Sequence, residues 1–204
     1  QVFFVPWYAC NFACSYCYQD EYSNEKSALN TEIIDTFFSS LNQLLGNKRK
    51  YITLFGGEPL LSGNLHKNLV TYFLQKAEEN KLQVAIVTNG YNLKEYIPLL
   101  NNKVIREIQV TLDGTAETHN QRRYLKDHSP TFNKISEGVD LLLENEIPVN
   151  LRMVVDKENL QNLPDFAEYA IKKAGLNHHI SKRSSGEITN CTIVRISVNG
   201  YIHA

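Results

Sequence analysis

The chain has 204 residues, of which 43% are hydrophobic and 21% charged, and its 21 basic and 22 acidic residues leave a formal net charge of -1. That is a globular composition, long enough to bury a substantial core as one α/β domain with a small appendage. Balanced charge gives no overall field for nucleic acid or an anionic membrane, no apolar run approaches bilayer length, and Gln1-Val2-Phe3-Phe4-Val5 is too short and uncharged for a signal peptide.

Residues 2–9 form an apolar and aromatic run that predicts a strand buried on both faces, with Pro6 towards its end. Cys10, Cys14 and Cys17 follow in a CxxxCxxC arrangement, in the loop that leaves this strand. Three thiolates so close together cannot all pair as disulfides, and three is one short of a closed zinc site. An iron–sulfur cube fits the count, because a missing fourth thiolate leaves one iron open to a substrate. The alternative is a zinc knuckle completed by a distant His or by Cys191, the fourth cysteine of the chain. Clustered free cysteines without an export signal predict a cytoplasmic protein.

Asn30 or Thr31 can cap a helix whose apolar residues, from Ile33 to Leu45, keep helical spacing up to Gly46. A second strand, Tyr51 to Phe55, ends in Gly56-Gly57-Glu58-Pro59 and leads to a helix over Leu65 to Glu79. Val84 to Val87 is a third strand closed by Thr88-Asn89-Gly90, and a short helix from Leu93 to Leu100 precedes a fourth strand that ends at Thr111-Leu112-Asp113-Gly114. A helix over Thr131 to Glu146, a strand over Val149 to Val155 and a helix from Leu160 to Ala174 complete five β/α units. Such alternation predicts right-handed βαβ units and a parallel sheet, with functional loops at the carboxyl ends of the strands.

Asn177 to Arg183 offers a sixth strand but is soon broken by Ser184-Ser185-Gly186. Beyond it, Cys191 precedes an alternating run and an Asn199-Gly200 turn, which reads as a β-hairpin opening a smaller module over residues 184–204. The chain lacks an initial Met and ends within this pattern, so it reads as a piece of something longer. His178 and His179 are adjacent, so on a strand they point to opposite faces, and no dedicated histidine metal site is expected.

The unusual residues fall at one end of the sheet. Three cysteines with Tyr16 before the last, Gly-Gly-Glu-Pro after the second strand and Thr-Leu-Asp-Gly after the fourth, in this order, resemble the radical SAM superfamily. The resemblance covers most of residues 1–175.

The resemblance implies a partial (β/α)6 barrel over residues 1–183. It would hold a [4Fe-4S] cluster on Cys10, Cys14 and Cys17, whose fourth iron chelates the amino and carboxylate groups of S-adenosylmethionine (SAM). One electron from a flavodoxin- or ferredoxin-type donor would then cleave SAM to a 5′-deoxyadenosyl radical. Gly56, Gly57 and Glu58 would face the SAM ammonium, and Thr88, Asn89, Thr111 and Asp113 its ribose and carboxylate. Thr111 stands where the family often has Ser. Tyr16 would lie against the adenine. Arg152, in an otherwise apolar strand, is expected either to point into the barrel as a clamp on a carboxylate or carbonyl, or to form a structural ion pair. Arg122 and Arg123 fall in a loop near the rim, as substrate-facing or supporting residues.

Gly-Gly-Glu-Pro with Leu-Asp-Gly resembles the branch with a SPASM or twitch extension, which includes anaerobic sulfatase-maturing enzymes and peptide maturases. In that pattern Cys191 would ligate an auxiliary iron–sulfur cluster, the alternative being a buried structural thiol. The expected substrate is a peptide or protein, modified by crosslinking, thioether formation, epimerisation or oxidation. A small-molecule radical SAM reaction and a non-catalytic zinc-stabilised binding module are the alternatives.

Overall fold

The computed structural model describes residues 1–21, 29–46, 48–173 and 192–197, with the backbone alone at 20–21 and 192–197. Five strands, β1 (Val2–Phe4), β2 (Tyr51–Leu54), β3 (Gln83–Thr88), β4 (Ile105–Thr111) and β5 (Val149–Val155), pair in parallel in sequential order. Helices α1 (Thr31–Leu45), α2 (Asn64–Glu79), α3 (Leu93–Leu100), α4 (Ala116–Arg122), α5 (Phe132–Glu144) and α6 (Leu163–Lys173), two short 3-10 turns (Tyr18–Glu21 and Leu160–Asn162) and β6 (Thr192–Ser197) complete the described elements. Sequential right-handed crossovers lay their helices on one face of the sheet, so the sheet forms the wall of a partial barrel with its other face turned inward.

Residue alternation shows the two faces. On β5, Val149, Leu151, Met153 and Val155 are buried beneath the helices, while Asn150, Arg152 and Val154 alternate with them. Strand register places Thr111 beside Arg152 on the inner face. Beneath the helices, Phe4 stacks 4.8 Å from Phe73, which lies 5.1 Å from Phe38 of α1. Asn30 caps α1 by accepting from the Ile33 N–H at 2.9 Å, and Gly46 closes the helix at φ +50°, a conformation that favours glycine.

Three expectations change. The first strand covers only residues 2–4 and is not buried on both faces: Phe4 packs beneath the helices, whereas Phe3, which alternates to the opposite face, is 58% exposed. The segment carrying Arg122 and Arg123 is not an open loop, since α4 ends at Arg122. Residues 192–197, expected as one arm of a separate hairpin, add to the main sheet antiparallel to β5, from Asn150↔Ser197 to Val155↔Thr192. Cys191, His178, His179, the strand expected over 177–183 and the Asn199-Gly200 turn lie outside the described residues. Among the described residues no helix is long and apolar enough to cross a membrane.

Candidate active site

The cysteine loop is held by main-chain bonds to a segment more than a hundred residues away. Ala13 N–H donates to the Tyr124 carbonyl and Ser15 N–H to the Arg122 carbonyl, each at 2.9 Å, and Phe12 bridges Leu125 in antiparallel fashion. Within the loop, Cys17 N–H donates to the Cys14 carbonyl at 3.1 Å, and Phe12 N–H to the Cys10 sulfur at 3.4 Å. Burial pushes the Cys10 thiol up to about 11 and raises that of Cys14 as well. Such thiols become thiolates when a metal centre supplies positive charge.

Gly-Gly-Glu-Pro fits against the residues before Cys10. Gly57 N–H donates to the Trp7 carbonyl at 3.1 Å and Glu58 N–H to the Ala9 carbonyl at 2.9 Å. A Cβ on Gly57 would lie 2.5 Å from the Tyr8 carbonyl oxygen and closer still to that of Ala9, so only glycine permits this approach.

Glu58, with 1% of its surface exposed, sits behind the glycines. Its carboxylate accepts from Leu60 N–H at 2.8 Å, from the Thr88 hydroxyl at 2.6 Å and from Asn89 N–H at 2.6 Å, while its carbonyl accepts from the Trp7 indole at 2.6 Å. Desolvation raises its pKa against the pull of these donors. Glu58 therefore ties the end of β2 to the end of β3. Asn89 in turn donates to Asn11 at 2.8 Å, beside the cysteines.

Asp113, fully buried, performs the same service for β4. One oxygen accepts from Val154 N–H at 3.0 Å and the other from the Tyr16 phenol. The Tyr16 oxygen also accepts from Arg123 at 2.6 Å, and the Arg122 guanidinium lies 4.9 Å from the centre of the Tyr16 ring. Burial raises the Tyr16 pKa, so the phenol is neutral at ordinary pH. Arg122 turns away from the cavity into a forked pair with Asp156, at 2.6 and 3.1 Å, and a 3.0 Å contact with Glu158.

His119, which drew no site assignment from the sequence, completes this brace. Its Nδ1 accepts from Asp113 N–H at 3.1 Å, which makes Nε2 the donor to Thr131 at 3.0 Å, and Thr131 donates to the Arg123 carbonyl at 2.7 Å. Desolvation lowers the His119 pKa well below its ordinary value. His119 lies only six residues after Asp113, but nothing in that short polar run shows that its ring turns back onto the Asp113 N–H or that Thr131, twelve residues on, will meet its other nitrogen.

These parts enclose a cavity of about 380 Å³. Cys10, Cys14 and Cys17 form one wall, Phe55, Gly56 and Gly57 a second, and Thr88, Asn89, Thr111, Arg152 and Val154 a third, with Tyr16, Gln19 and Arg123 between them. Tyr18 also lines it and is 54% exposed, which places it at the mouth. Of the predicted site residues, the described ones converge here except Glu58 and Asp113, which stand behind the lining, and Arg122, which is turned to Asp156 and Glu158. Three soft sulfur donors, a glycine cradle that a Cβ would fill, and polar strand ends facing one volume fit an iron–sulfur cluster with an amino-acid-bearing ligand. Among the described residues no three His, Cys, Asp or Glu side chains converge on a single ion, whereas a cube takes one thiolate at each of separate corners.

The chain belongs to the radical SAM superfamily, whose family model matches residues 4–170. The family is one of enzymes that use a [4Fe-4S] cluster and SAM. A serine-type anaerobic sulfatase-maturating enzyme of Bacteroides thetaiotaomicron is 26% identical over 166 residues, 78% of this chain and 40% of that protein. A GTP 3′,8-cyclase of Nautilia profundicola is 28% identical over 167 residues, 80% of this chain and 50% of that protein. The solved structure of native anSMEcpe with bound AdoMet shares the fold, with a TM-score of 0.73 at 19% identity, over 84% of this chain and 48% of that one. The chain thus spans about half the length of the relatives it matches.

Proposed function

We propose that this radical SAM chain is the catalytic core of an enzyme that abstracts hydrogen from a peptide or protein substrate. The observation that carries the catalytic part is the convergence of the cysteine loop, the glycine cradle and three strand ends on one cavity. When bound, the cluster and SAM supply a 5′-deoxyadenosyl radical.

Cys10, Cys14 and Cys17 hold the cluster. The backbone of Gly56 and Gly57 receives the SAM ammonium, and Thr111 and Arg152 its carboxylate or ribose hydroxyls. Thr88 and Asn89 border the same ligand, and Tyr16 presents its ring to the adenine. Glu58 and Asp113 position these groups by tying strand ends together. Enclosure by the barrel wall excludes water, which would otherwise quench a reactive intermediate.

The peptide reading is supported by the likeness to the sulfatase-maturating enzyme, together with the Gly-Gly-Glu-Pro and Leu-Asp-Gly motifs. Cys191 belongs on this reading to a SPASM- or twitch-like segment over residues 184–204 and ligates an auxiliary iron–sulfur cluster. A flavodoxin or ferredoxin supplies the electron, in the cytoplasm. The second reading, a small-molecule substrate, is favoured by the comparable identity to the GTP 3′,8-cyclase.

Isotope transfer separates the two. Full-length reconstituted enzyme, given SAM, a strong reductant and a deuterated candidate peptide, is expected to release deuterium-labelled 5′-deoxyadenosine. Label arriving only from deuterated GTP would replace the peptide reading with the second.

A further inference from the structure

Two adjacent arginines at the end of α4 have opposite surroundings. Arg122 is met by Asp156, Asp113 and Glu158. Arg123 is 9% exposed and, among the described residues, makes no ion pair with a carboxylate. One terminal nitrogen donates to the neutral Tyr16 phenol at 2.6 Å, its guanidinium lies 5.7 Å from the centre of the Phe12 ring, and its buried Nε has no hydrogen-bond partner. A buried cation left without a counter-charge is costly, so such a group is normally matched by an anion.

The surface it faces is the cavity shared with the three cysteines. Tyr16, its hydrogen-bond partner, lies between Cys14 and Cys17 in the chain. The buried Asp113 carboxylate reaches Arg123 only through the Tyr16 hydroxyl and also serves Val154 N–H and the Arg122 guanidinium, so it is on the cavity side that Arg123 can meet further negative charge. Three thiolates around an iron–sulfur core carry net negative charge, and reduction adds one more. A fixed cation beside them lowers the energy of the reduced state more than that of the oxidised one.

We infer that Arg123 is a positioning and charge-balancing residue that sets the reduction potential of the cluster on Cys10, Cys14 and Cys17. The inference rests on the cluster assignment proposed above. No further reactant is involved, because the residue shifts the equilibrium of a one-electron reduction whose electron comes from the external donor.

Arg123 is better suited to the role than Arg122, whose charge is already neutralised by three carboxylates. Arg123 is also fixed in place: its carbonyl accepts from Thr131, its N–H donates to the His119 carbonyl at 2.8 Å, and its neighbours Arg122 and Tyr124 hold the cysteine loop.

The test is a potentiometric titration, read by electron paramagnetic resonance, of full-length protein reconstituted with iron and sulfide and without SAM. Wild type, Arg123→Lys and Arg123→Gln are compared. Loss of the charge in Arg123→Gln is expected to reduce the equilibrium constant for one-electron reduction about tenfold, which is about 59 mV towards more negative potential. Arg123→Lys should stay near wild type. Failure of Arg123→Gln to hold a cluster that Arg123→Lys retains would equally assign the charge to the cluster. Equal potentials in all three proteins, with weaker SAM binding in Arg123→Gln, would instead give Arg123 to the SAM carboxylate and overturn the inference. Equal loss of the cluster in both variants would also overturn it, by making the role structural. Absence of a [4Fe-4S] signal from wild type itself would strike the cluster assignment.

Discussion

The Tyr16 phenol donates a hydrogen bond to Asp113, a residue 97 positions away, and so locks the middle of the cysteine loop to the end of β4. Asp113 at the same time accepts from Val154 N–H on β5, so one carboxylate joins three elements that border the cavity. A Tyr16→Phe variant loses the donor and leaves Asp113 buried with fewer partners. It should be destabilised by about 1–3 kcal/mol in denaturant unfolding and should hold less iron per chain after reconstitution, because the loop is less ordered.

Gly57 gives a steric prediction. Its Cβ position is occupied by the carbonyl oxygens of Tyr8 and Ala9, which belong to the backbone and cannot swing aside. Gly57→Ala should cost about 1–3 kcal/mol by overpacking, seen as a lowered Tm, and should displace the segment that leads into Cys10. A Gly46→Ala change serves as the control, since a Cβ there meets nothing within 4 Å and the cost comes from its φ of +50° alone.

Much of this was legible in the sequence. The helix and strand periods, the Asn30 cap and the glycine-marked strand ends located the five units, because each of those signals is local. The content of the rim was less legible. Glu58 reads as a ligand-facing carboxylate, yet its acceptors are taken by Leu60, Thr88 and Asn89. Arg122 and Arg123 look alike in the chain, but among the described residues Arg122 pairs directly with carboxylates at 113, 156 and 158, whereas Arg123 makes no direct ion pair and meets the Tyr16 hydroxyl in the cysteine loop. Such tertiary pairings leave no periodic trace. The short strand β1 shows the same limit, as an apolar run does not reveal whether anything packs on its second face, where Phe3 is left exposed.

His119 makes stability depend on pH. Its folded pKa lies well below the ordinary 6.5, so below that value the unfolded chain takes up a proton that the folded chain refuses. Stability contributed at neutral pH is therefore lost as pH falls from about 6.5 towards the folded pKa, with a slope of up to about 1.4 kcal/mol per pH unit. His119→Gln keeps an acceptor for Asp113 N–H and a donor for Thr131 without the titration. Urea unfolding at pH 7 and pH 5.5 should show a smaller loss in the variant than in wild type, and equal losses would remove His119 from the account.

Thr111 and Arg152 neighbour one another across β4 and β5 and line the cavity. If they hold SAM, Thr111→Val and Arg152→Gln should each weaken SAM binding by about tenfold, roughly 1.4 kcal/mol, with iron content unchanged. Calorimetric titration of SAM into reconstituted protein reads both. Unchanged affinity in both variants would move the ligand away from this wall.

The most direct measurement is SAM cleavage itself. Full-length protein reconstituted anaerobically with iron and sulfide, then mixed with SAM and a strong reductant, is predicted to release 5′-deoxyadenosine, and a variant with Cys10, Cys14 and Cys17 all changed to Ala is predicted to release none. A protein that assembles no [4Fe-4S] cluster and never cleaves SAM, or a triple variant as active as wild type, would contradict the account.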